Sequence, residues 1–132
     1  MSGTSDTLQG WQQAARTAFA AALDAGHPAR LTSDAVAGLA TPVSAIIAIG
    51  KAAAAMAIAA RNSGRDFGRE SGRDFSAFNP EVPGIIVTND ENFVVVDGME
   101  CHASAHPVPD ERGLVAANAV TQMAKNLTGD DH

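Results

Sequence analysis

The sequence predicts an α/β fold: a mostly parallel sheet with helices on its faces, three layers in all. Segments of helical periodicity alternate with short β-branched runs in the order helix, strand, helix, strand, strand, helix. Strands joined by helical crossovers favour a parallel sheet, and such crossovers are right-handed almost without exception. The length, 132 residues, suits one core and is too short for two. With 45% hydrophobic and 18% charged residues, no tyrosine and one tryptophan, the chain reads as globular with a thin interior of small residues.

The first helix is expected from Asp6 to Asp24, where Leu8, Trp11, Ala15, Phe19 and Leu23 recur at three- and four-residue spacing. "DAGHPA" ends it, with Gly26 as the stop and Pro28 just beyond; His27, ahead of that proline, reads as a capping residue. Ala29 to Ala40 is a shorter, weaker helix, broken by Thr41-Pro42. Val43 to Ile49 carries the β-branched run of a strand buried on both faces. Lys51 to Arg61 follows as a helix, because alanine loses no side-chain entropy on becoming helical.

Residues 63–82 contain "SGRDF" twice, starting at Ser63 and at Ser71. Two copies cannot form a solenoid, and the glycine and charge content reads as an exposed, mobile loop. As a phosphate patch, Arg65, Arg69 and Arg73 are opposed by the neighbouring Asp66, Glu70 and Asp74. Pro83-Gly84 opens a second strand, Ile85 to Asn89, and "DEN" turns the chain. "FVVVDGMECHAS" reads as an extended edge segment, a turn at Asp97-Gly98 and a third strand from Met99 to Ser104. In "AHPVPDERG" two prolines hold the backbone extended, and Asp110 is placed to cap the last helix, with Glu111 complementing its dipole. That helix is expected from Glu111 to Leu127, with Leu114, Ala117, Val120, Met123 or Ala124, and Leu127 on one face.

A net charge of -6 and a pI near 5.0 give no electrostatic support for binding nucleic acid or an anionic lipid surface. Cys101 is the single cysteine, which excludes an internal disulfide and fits a reducing cytoplasm, the expected location. The N-terminus lacks a basic region followed by an apolar run, so it does not read as a signal peptide. Gly50 and Lys51 interrupt the apolar stretch from Val43 to Ala60, and its alanines favour lipid only weakly, so no membrane span is expected.

In open parallel sheets ligands bind beyond the carboxyl ends of the strands. That rule sets Gly50 and Lys51, Thr88 and Asn89, and His106 along one rim. A lysine in the first turn of a helix opposes the macrodipole, so an anion is expected beside it. It is not a Walker loop: Ala45 stands where that pattern needs glycine and Ala52 where it needs Ser or Thr. No Gly-x-Gly-x-x-Gly follows the strand either. What remains is an anion site made of a close-approach glycine, free N–H groups and an ammonium, or equally a solvated lysine whose stem covers apolar neighbours. His106 has the chemistry to bond a substrate hydroxyl or shuttle a proton, but single-sequence reasoning favours a histidine that anchors its loop to the backbone. Asp110 reads as a cap before a catalytic base. Cys101 and His102 point to opposite faces of a strand, so with His106 they do not form a zinc set, and no metal ligation by protein residues is expected.

"AIGKAAAAMA", "IIVTNDEN" and "AHPVPDERGLVAA", in this order and spacing, resemble the N-terminal half of glycerate 2-kinases of the MOFRL-containing type, with their DUF4147-like first domain. Members are also labelled hydroxypyruvate reductase, a reading opposed by the missing dinucleotide fingerprint. The resemblance covers roughly Leu8 to Asp131. It implies a Rossmann-like domain of a phosphotransferase that moves the γ-phosphoryl group of ATP, with Mg2+, to the 2-hydroxyl of D-glycerate. It also implies that Lys51 is the active-site lysine and that the conserved His-Pro-x-Pro-Asp segment falls on His106 to Asp110. Together with the rim residues Gly50, Thr88 and Asn89, Lys51, His106 and Asp110 are the expected binding residues for a small hydroxy acid. Family members continue beyond "NLTGDDH" into a strand and a Ser-Gly-Gly-Gly-Ser nucleotide loop. The chain is therefore expected to be a truncated member, incomplete at the C-terminal side of its sheet and inactive alone. An unfinished sheet edge leaves homo-oligomer formation or pairing with another chain open. The rival reading is a noncatalytic α/β module that binds a small anion or another protein.

Overall fold

A computed structural model describes residues 3–39, 43–70 and 82–127. The elements are α1 (Gly3–Ala25), α2 (Pro28–Ala37), β1 (Ile46–Ile49), α3 (Ala53–Glu70), β2 (Gly84–Asn89), a 3-10 turn (Asp90–Asn92), β3 (Glu100–Ser104) and α4 (Glu111–Asn126). The strands lie in the order β1-β2-β3 and both pairings are parallel. Ala48 stands beside Ile86 and Ile86 beside Cys101; one residue on, Ile49 stands beside Val87 and Val87 beside His102. The α/β fold with a parallel sheet is thus present, and its register brings the carboxyl ends of all three strands to one rim.

Because side chains alternate across a strand, Ile46, Ala48, Ile86 and Cys101 share one face. Onto that face α3 sets Ala53, Ala54, Ala57 and Ala60, with Val82 and Val96 closing the cluster. Alanines let the helix lie close to the isoleucines, so the core is thin and well excluded from water. Ile85, on the opposite face, is completely buried, and α4 packs against β3 and β2.

Several expectations are corrected by this arrangement. The strand expected at Val43 to Ile49 begins only at Ile46, and it is not buried on both faces: Ile49 is 67% exposed. The reason is position, since β1 is an edge strand and α4 lies over the other two. On α4 the face turned inward is Gly113, Ala116, Val120 and Met123, whereas Leu114 is 68% exposed. This face is the one that packs on β3 and β2, and Ala116 is 1% exposed there. The helix expected to stop at Arg61 continues to Glu70, so the first SGRDF copy is helical rather than looped. Ser63 Oγ donates to the Ala59 carbonyl at 2.7 Å, satisfying its hydroxyl within the helix. The second SGRDF copy and the Thr41-Pro42 break lie outside the described residues.

Phe93 to Val96 forms no strand pairing; Val96 turns into the core, and the Met99 N–H bonds the Val96 carbonyl across the Asp97-Gly98 turn, where Gly98 has φ +73°. Arg61 of α3 holds that turn by donating Nη1 to the Asp97 carbonyl. His27 caps α2 through its carbonyl alone, accepting from the Leu31 N–H, and its ring makes no capping bond; Pro28 needs no partner at the first helical position. The apolar stripe of α1 exists at the expected spacing but faces outward, with Trp11 72% exposed. Among the described residues no helix is long and apolar enough to cross a membrane.

Candidate functional site

At the end of β1 the chain hooks over its neighbour. The Gly50 N–H donates to the Val87 carbonyl at 2.9 Å, and the Ala53 N–H returns to the Gly50 carbonyl at 3.1 Å to start α3. Gly50 makes this hook with φ +119°, a conformation that a Cβ would strain. The result is Lys51 at the N-terminal end of α3, exposed and without an ion-pair partner among the described residues. The positive end of the α3 dipole and the ammonium therefore lie at the same place.

β2 delivers Thr88 and Asn89. Thr88 is 4% exposed, and its hydroxyl makes a long 3.5 Å contact with Asn89 Oδ1. Asn92 Nδ2 donates to the same Oδ1 at 2.6 Å, and Asn89 Nδ2 reaches Glu91 Oε2 at 3.4 Å. The 3-10 turn thus orients the Asn89 amide from below. β3 delivers Ser104, which pairs in register with Asn89, and then Ala105 and His106. The His106–Pro107 peptide is cis. Among the described residues the His106 ring makes no hydrogen bond, so the expected anchoring of its loop to the backbone is not found.

Residues 49–51, 87–89 and 104–106 together line one cleft of about 180 Å³. A water molecule takes about 30 Å³ of liquid, and drug-sized sites run to about 300–1,000 Å³, so this cleft suits a ligand of only a few heavy atoms. Gly50, Lys51, Thr88, Asn89 and His106, singled out from sequence, are all in its lining. Ser104, Ala105 and the apolar walls Ile49 and Val87 were missed. Their signal is the strand register, which no local motif carries.

Asp110 does not line the cleft. Its side chain caps α4: Oδ1 accepts the Gly113 and Ala105 N–H groups at 3.4 Å each, and Oδ2 accepts Arg112 Nε at 2.7 Å. Arg112 also forks onto Asp90, with Nη1 to Oδ1 at 2.6 Å and Nη2 to Oδ2 at 2.9 Å. The hydrogen bond from Arg112 is the main cause that holds the Asp110 carboxyl below its ordinary range, and the same bond lowers Asp90. Bonds to Asp90 and then Asp110 raise Arg112 above its own range. One guanidinium is thereby shared between two carboxylates outside the cleft lining, and within that lining Lys51 is the side chain that carries a full charge. Sequence reasoning missed Arg112, because nothing in "PDERG" tells that its partner is 22 residues away.

No group of three or more metal-ligating side chains exists among the described residues. Cys101 Sγ accepts the Val96 N–H at 3.4 Å, while His102 Nε2 lies 2.7 Å from Glu100 Oε1.

A family model described as a domain of unknown function (DUF4147) matches residues 14–132. Among solved structures, the glycerate kinase of Thermotoga maritima is 23% identical and superposes with a TM-score of 0.74 over 93% of this chain. That likeness is one of fold, and the chain spans 27% of the length of that protein. No curated protein gives a significant match.

Proposed function

Since this chain belongs to the DUF4147 domain family, we propose that it is the N-terminal part of a glycerate 2-kinase, whose intact form transfers the γ-phosphoryl group of ATP to the 2-hydroxyl of D-glycerate. The observation that carries the reading is the cleft itself: Lys51, Asn89 and His106 come from the ends of three different strands to a volume fit for a three-carbon acid. The fold shared with the Thermotoga glycerate kinase supports it.

In this reading the glycerate carboxylate sits against the Lys51 ammonium and the positive N-terminal end of α3. Asn89, its amide held by Asn92, bonds a hydroxyl, and His106 accepts the proton of the hydroxyl that is to be phosphorylated. Positioning and electrostatics are most of what phosphoryl transfer asks of a protein. The described residues do not fit the nucleotide or its magnesium. The cleft is too small, the Walker positions hold Ala45 and Ala52, and no metal-ligating group of side chains is found among them. No step is therefore routed through ATP here, and we assign its binding to other residues of a longer chain. The 132 residues alone are expected to bind the acid without turning it over, in the cytoplasm.

The test is a thermal-shift titration of the chain with D-glycerate, with inorganic phosphate alongside, because a ligand of the folded state raises its stability. Stabilisation by D-glycerate that Lys51→Ala abolishes supports the reading. Equal stabilisation by phosphate and glycerate favours the noncatalytic anion module instead. In an intact enzyme, Lys51→Ala should lower kcat/KM by more than about tenfold, roughly 1.4 kcal/mol; a smaller loss removes Lys51 from a central role.

A further inference from the structure

We propose that Arg112 is a positioning residue that fixes the Asn89 wall and the His106 wall of the cleft relative to each other; its effect on acid binding rests on the glycerate reading above. Arg112 lies in the first turn of α4 and outside the cleft lining. Its guanidinium makes three bonds to two loops, two to Asp90 and one to Asp110.

Asp90 immediately follows Asn89 and opens the turn whose Asn92 holds the Asn89 amide at 2.6 Å. Asp110 Oδ1 takes the Ala105 N–H, one residue before His106. The guanidinium therefore ties the carboxyl end of β2 to the carboxyl end of β3 beyond the last paired residues, Asn89 and Ser104. Without it the two carboxylates repel each other across the same gap. A lysine supplies the charge but not the planar fork that meets both oxygens of Asp90. About half of the Arg112 side chain is exposed, so these pairs add little to global stability, and their consequence is geometric. The third wall, at Gly50 and Lys51, is held among the described residues by backbone bonds and stands outside the network.

The experiment compares wild type, Arg112→Gln, Arg112→Lys and Asp90→Asn of the 132-residue chain by amide hydrogen exchange and by titration with D-glycerate. In Arg112→Gln, exchange at residues 89–92 and 105–106 should accelerate together, while residues 50–53 keep the wild-type rate. D-glycerate affinity should fall by about tenfold, and the melting temperature should move by no more than about 5 °C. Asp90→Asn should loosen the same two segments, and Arg112→Lys should recover less than half of the lost affinity. Unchanged exchange in either segment overturns the proposal, as does full rescue by lysine, or loosened loops with unchanged affinity. If the wild-type chain binds no D-glycerate, the substrate reading fails by itself, and the joint exchange of the two segments still decides the role of Arg112.

Discussion

The two sides of the cleft are held by different kinds of interaction. On the Lys51 side a glycine with φ +119° lets the backbone hook onto Val87 and enter α3, so the position of the wall is built from main-chain bonds. On the His106 side the backbone pairing ends at Ser104, and the loop beyond it is tied down by Asp110, Arg112 and Asp90, three charged side chains that are 36–58% exposed. The bonds of the first wall involve no titrating group, and a Cβ at Gly50 would strain it. The second depends on charged side chains. One site thus combines a wall built from main-chain bonds with a wall tied by charged side chains.

The largest effect should come from removing what both sides stand on. Ile86 is 1% exposed in the central strand, and Ile86→Ala should cost about 2–5 kcal/mol by urea unfolding, loosening both walls together. If only one side loosened, the two would not share a floor. Next, Gly50→Val should cost about 1–3 kcal/mol and displace the Lys51 wall. The cost is torsional, since nothing lies within 4 Å of the position a Cβ would take. Amide spectra should then change around residues 49–53 and stay constant at 104–106.

Acid should act on the opposite wall. Asp90 and Asp110 have folded-state values depressed below the ordinary 3.8 by their bonds to Arg112. A depressed carboxylate contributes stability above its unfolded value and loses it as pH falls through the folded one. Below pH 3.8, then, hydrogen exchange at residues 105–106 should rise before that at residues 50–53, and Arg112→Gln should remove the difference. Simultaneous loosening would mean that charge does not hold the second wall. The smallest effect belongs to Leu114→Ser on the open side of α4, within about 0.5 kcal/mol by urea unfolding. A larger loss would return Leu114 to the core and contradict the Gly113–Ala116 packing.

This contrast also explains what the sequence made legible. Gly50, Lys51, Thr88, Asn89 and His106 could be placed on one rim because parallel strands all end on the same rim, and a parallel sheet follows from strands alternating with helical crossovers. Arg112 could not be placed, because its partners are set by how the turn after β2 folds back toward α4. The inward face of α4 was misread for a related reason. Apolar periodicity favours Leu114, but the helix turns Ala116 onto the sheet instead, and tertiary packing decides. In α3 a glycine-rich, charged run beginning at Ser63 reads as a loop, yet the alanine helix before it propagates through Glu70. For α1 the periodicity located the helix correctly, and it carries no information about what its open stripe meets.

The most direct test of the account is an amide NMR titration of the 132-residue chain with D-glycerate. The account predicts shifts confined to residues 49–53, 87–89 and 104–106, lost in Lys51→Ala. Shifts centred instead on the opposite end of the sheet, around Glu100 and Met123, or no shifts at all, would contradict it.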